Sequence, residues 1–116
     1  MTSSKKVVMD KYEVTSRFFV GIIRVLSKHT SRDYSLVILS TLKNDLLRNF
    51  GFFKYITVKG KIIKIDSRIN KVDEVMLGKM FMRIVDIIGP SLLRAMIQEE
   101  LDTKTVECLE NMGVIF

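Results

Sequence analysis

The sequence predicts one soluble, mostly helical α+β domain: two helices, a central antiparallel β-hairpin, then three further helices. Three observations lead there. Apolar residues recur with a period near 3.6 through residues 11–50 and again through 71–112. Between those stretches the period drops to 2, over residues 54–65. Gly51, Gly60, Gly89-Pro90 and Gly113 stand where the patterns change. A chain of 116 residues can bury one core but not two. With 47% hydrophobic and 28% charged residues, it falls outside the disordered class. The expected organisation is a flexible basic segment over residues 1–9 and one compact domain over 10–116.

Asp10 is placed to cap a first helix over 11–28, with Glu13 three positions on. Val14, Phe18, Ile22, Val25 and Leu26 share a broad arc with Phe19 and Ile23, so this helix should meet more than one neighbour. Ser31 or Asp33 can cap a second helix over 33–49. It gathers Leu36, Ile38, Leu39, Leu42, Leu46, Leu47 and Phe50 on one side, and Gly51 stops it.

In the hairpin, Lys59-Gly60 reads as a two-residue turn. That register opposes Ile56 to Ile63 and Lys54 to Ile65, and turns Ile56, Val58, Ile63 and Ile65 toward the helices. One hairpin is marginal alone and needs such support. The third helix, over 71–88 with Asn70 or Asp73 as cap, leaves only a narrow polar strip at Lys79, Arg83 and Asp86. It is therefore expected at the centre of the fold or in an oligomer. Gly78 on it marks a close approach to a neighbour. Pro90 opens a fourth helix over 90–101 with Leu92, Leu93, Met96 and Ile97 inward. Thr103 caps a fifth over 104–112, and Val114-Ile115-Phe116 should tuck back as an apolar tail.

The net charge of +6 is unevenly spread. Residues 1–71 hold fifteen Lys and Arg against five acids, a net of +10. Residues 72–116 hold four against eight, a net of −4. Such a field can draw a polyanion to the first part, or serve complementary surfaces within or between subunits. No secretory signal or run of 18 apolar residues is visible, so no membrane contact is expected and the cytoplasm is the expected location.

Constellations for catalysis are thin. His29 has no acid or nucleophile at a recognisable spacing, Cys108 lies between Glu107 and Glu110, and Glu99, Glu100 and Asp102 do not converge on one helix face. The six glycines form no nucleotide loop. No catalytic residue, metal ligand or cofactor is expected, and the chain reads as non-catalytic.

Two surfaces remain as candidates. Lys54, Tyr55, Lys59, Lys61, Lys64 and Arg68 place cations and an aromatic ring around the hairpin, the residue types that meet phosphates and stack on bases. Two helices followed by a hairpin resemble part of a winged-helix unit with Lys59 and Lys61 at the wing tip, although a third helix before the wing is missing. The second candidate is an apolar interface at Met76, Met80, Phe81, Ile84, Val85 and Ile88, which would make the protein an interaction or regulatory module acting as a homodimer. That is the leading expectation, with nucleic-acid binding by the hairpin as the alternative.

Overall fold

The computed structural model describes residues 9–89 and 91–116. Five helices and one hairpin follow in the expected order: α1 (Lys11–His29), α2 (Arg32–Asn49), β1 (Ile56–Lys59), β2 (Ile62–Ile65), α3 (Glu74–Ile88), α4 (Ser91–Glu100) and α5 (Thr103–Asn111). Short 3₁₀ turns, Gly51–Tyr55 and Ser67–Lys71, flank the hairpin. The basic segment expected over residues 1–9 lies outside the described residues except for Met9, which packs half-buried on the core. Pro90 lies outside them as well.

Helix starts follow cap chemistry. The Asp10 carboxylate accepts the Glu13 amide at 2.7 Å, and the Ser31 hydroxyl accepts that of Tyr34 at 3.1 Å, each satisfying a donor that the helix itself leaves free. The fifth helix is capped by Asp102, whose carboxylate accepts the Thr105 amide at 2.8 Å, so Thr103 is its first residue rather than its cap. A carboxylate also suits the positive end of a helix dipole better than a hydroxyl does.

The third helix starts at Glu74 instead of residue 71 because the chain first winds through the 3₁₀ turn. There Asp66 accepts the Arg68 amide at 2.9 Å.

The hub of the fold is α1, not α3. It packs on α2, β2, the 67–71 turn, α4 and α5, which explains the breadth of its apolar arc. Phe18 on α1 meets Phe81 on α3 edge-on with ring centroids 5.0 Å apart, and Phe19 meets Phe53 at 6.5 Å. Phe18, Ile22, Leu46, Ile69, Phe81, Ile84 and Ile97 are fully enclosed around this contact.

The hairpin is antiparallel, but its register differs from the expected one. Ile56 pairs with Ile65, Val58 with Ile63 and Lys59 with Ile62, so the turn residues are Gly60-Lys61. The reason is the first turn position. The tight two-residue hairpin turns demand a positive φ there, and Gly60 takes φ +59° without the steric penalty Lys59 would carry. Lys54 and Tyr55 belong to the preceding 3₁₀ turn, and the Asp66 amide closes the hairpin base on the Tyr55 carbonyl at 2.8 Å. The expected inner face survives this shift, since moving the partner by two residues preserves which side each residue occupies. Ile56 and Val58 are buried, Ile63 and Ile65 half-buried.

Two helices bury less than their patterns promise. On α4, Leu93 and Ile97 are inward, but Leu92 is exposed. On α2 only Leu42 and Leu46 are buried, while Leu36, Val37 and Leu47 stand out in solvent. At the chain's end Val114 folds back, its amide bonding the Leu109 carbonyl at 3.0 Å, and Ile115 points outward. No helix among the described residues is long and apolar enough to cross a membrane.

Candidate interaction surface

The hairpin cations do not converge. Lys54, Tyr55 and Arg68 cluster at the hairpin base. The Arg68 guanidinium lies 5.0 Å from the Tyr55 ring centre and the Lys54 ammonium 5.5 Å from it. Arg68 is also held by Asp66 through two bonds, Nε at 3.1 Å and Nη2 at 2.8 Å. Two of its donors are therefore engaged in a local loop lock, although the side chain stays exposed.

The same lock, with the Arg68 amide added, pulls Asp66 down to about 2. A carboxylate so depressed favours the folded loop above its ordinary value of 3.8, and that contribution fades as pH falls through about 2. Replacing Arg68 with glutamine should return the Asp66 titration toward the ordinary range. Carboxyl carbon shifts measured against pH would show it; an unmoved titration would assign the depression to the backbone amide alone.

Lys59 and Lys64 lie on the outward face of the hairpin, beside Thr57 and the exposed Ile62. Lys61 departs from both groups and lines the depressions beside the C-terminal part of α1. The tip thus sits at the corner of α1 and α2, and among the described residues two α-helices precede it, so the winged-helix resemblance is not carried by the geometry.

The apolar candidate fares differently. Met80, Phe81, Ile84 and Val85 are completely buried and Ile88 nearly so. Only Met76 reaches solvent, at 38% exposure. Most of the apolar sector of α3 is taken up inside the subunit, leaving Val75 and Met76 exposed at its first turn. Of the candidate set, only Met76 is left for a homodimer to use on α3.

Other candidate chemistry is also accounted for by the fold. Glu100 pairs with Lys28 at 2.9 Å, and Asp102 pairs with Arg17 while capping α5. These contacts tie the basic and acidic parts of the chain within one subunit. Arg83 grips Asp45 through two bonds at 2.9 and 2.7 Å, joining α3 to α2 and holding the Asp45 carboxyl below its usual range. Burial pushes the Cys108 thiol up, away from a reactive thiolate. Among the described residues no group of three His, Cys, Asp or Glu side chains is placed to hold a metal ion.

What sequence reasoning missed is a crescent around the hairpin tip. A depression of about 470 Å³ lies between the end of α1, the start of α2 and the turn, lined by Ile23, Leu26, Leu36 and Leu39 and edged by Arg32 and Lys61. It shares Leu36, Leu39 and Gly60 with a second, of about 220 Å³, that reaches Lys43 and Val58. It shares Ile23, Ser27 and Lys61 with a third, of about 260 Å³, that reaches Arg24 and Lys28. The available signal was in α2: too many apolar residues, Leu36 and Leu47 included, for the one side that a helix on the surface can bury. No family model, curated protein or solved structure matches the chain.

Proposed function

We propose that the chain is a non-catalytic protein-interaction module that receives a partner in the crescent between α2 and the hairpin tip. The observation that carries this reading is the unfinished packing of α2. Of its 18 residues only two are buried, and the apolar side chains facing the hairpin tip leave space that the other described residues do not fill. An apolar groove with a few polar groups at its edge is the usual form of a docking site. The homodimer remains one form of this reading, with the second copy as the partner.

A photo-crosslinking residue in place of Leu36, in cells of the source organism, tests it. Leu36 is 51% exposed, so the change should leave the fold intact. Protein adducts are expected from position 36 and not from the same probe at Glu107, an exposed position on α5. An adduct of twice the subunit mass would identify a second copy. Nucleic-acid adducts at 36, lost when Lys59, Lys61 and Lys64 are changed to Glu, would favour the alternative reading over this one. Equal yields at both positions, or none, would overturn the proposal.

A further inference from the structure

We infer that the partner segment is acidic and amphipathic, with apolar side chains seated in the crescent and carboxylates meeting its rim. This rests on the crescent being the docking site, and it follows from the chemistry of the lining. The floor is aliphatic: Ile23, Leu26, Leu36, Leu39 and Val58. Around it stand Arg24, Arg32, Lys43 and Lys61, none of which takes part in an ion pair among the described residues. No Asp or Glu lines any of the three connected depressions. Arg32, Lys43 and Lys61, together with Arg24, which also feels the Glu100 carboxylate, set positive charge around one apolar floor; this attracts anions, and a complementary charge on the partner steers encounter and fixes register.

The same lining weighs against the other occupants. Base stacking needs an aromatic platform, and no aromatic side chain lines the crescent. In a two-fold symmetric dimer built on this surface, the patch would meet its own image and bring Arg32, Lys43 and Lys61 against like charges.

The test uses the full chain, isotopically labelled, and designed peptides of about three helical turns. One carries leucines on a single helical stripe with glutamates elsewhere. A second has the same composition with the stripe scrambled, a third has lysine in place of each glutamate, and a fourth has glutamine there. The expected result is binding of the acidic striped peptide, with amide shifts centred on Ser35, Leu36, Leu39, Gly60 and Lys61. Changing Lys43 and Lys61 together to Glu should weaken that binding by about tenfold or more, and added salt should weaken it as well. Stronger binding of the lysine peptide, or indifference to the double change, would overturn the acidic assignment. Binding of the glutamine peptide to the same amides, as tight as that of the acidic one, would leave the docking site standing and remove the charge. Shifts elsewhere, or none with any peptide, would remove both. Shifts in the same amides that grow with the protein's own concentration would assign the crescent to a second copy.

Discussion

Replacing Gly78 with alanine is expected to destabilise the protein by about 2 kcal/mol or more, against the usual direction for such a change inside a helix. Alanine in place of glycine normally gains about 1 kcal/mol there through propensity. At Gly78, however, an added Cβ would overlap the carbonyl oxygen of Met112, the residue that ends α5. The obstacle is backbone, so no rotamer change relieves it, and α3 and the α5 end must move apart. Overpacking of that kind costs about 3 kcal/mol in a dense core, which exceeds the propensity gain. Urea unfolding at constant slope would measure the difference. Gly51 supplies the contrast. Nothing lies within 4 Å of a Cβ built there, so alanine at that position should be neutral or stabilising by about 0.5 kcal/mol through the unfolded chain. Equal stability of the Gly78→Ala and Gly51→Ala variants would mean that the α3–α5 contact is looser than described.

The role of Gly78 was legible in the sequence because a glycine on a helix apolar nearly all round has few explanations besides close approach. The order of elements was legible for a similar reason. The change of period at residue 54 and the glycines that bracket it are local signals, and they agree with the tertiary structure. Register was not, because placing the turn one residue later, from Lys59-Gly60 to Gly60-Lys61, leaves the same four side chains on the inner face. Only the positive φ of Gly60 distinguishes the two, and the turn's first position decides it.

The candidate sites were harder for a physical reason. A sequence records which residues are apolar or basic, but not which neighbours will claim them. Arg68 is claimed by Asp66 and Tyr55, two and thirteen positions away. Met80, Phe81, Ile84 and Val85 are claimed by the core. Leu36 and Leu39, read as part of the buried side of α2, are left over because the hairpin tip meets the α1–α2 corner without closing it. The surface that emerges is assembled from α1, α2 and the turn, three segments whose proximity is a tertiary fact.

Phe81→Ala is expected to cost about 4 kcal/mol, and the way that loss depends on protein concentration separates a core role from an interface role. Phe81 is completely buried within one subunit, against Phe18 at 5.0 Å. Truncating a buried phenylalanine forfeits its transfer energy and leaves a cavity, a combined cost of about 3–5 kcal/mol. For a domain whose whole stability is on the order of 5–15 kcal/mol, the variant should melt far below the parent or unfold outright at low urea. If Phe81 belongs to the subunit core, whatever dependence the midpoint has on protein concentration should be the same in parent and variant. A midpoint that rises with concentration in the parent marks unfolding coupled to dissociation. Were that dependence then lost in Phe81→Ala while the helical signal persisted, α3 would have to be restored as a subunit interface. Should the variant prove too unstable to compare, Met76→Ala serves as the second arm. Of the six candidate interface residues on α3, Met76 is the one that reaches solvent, so truncating it should change stability by less than about 1 kcal/mol in a monomer. A larger, concentration-dependent loss at Met76 would place the exposed edge of α3 in contact with another chain.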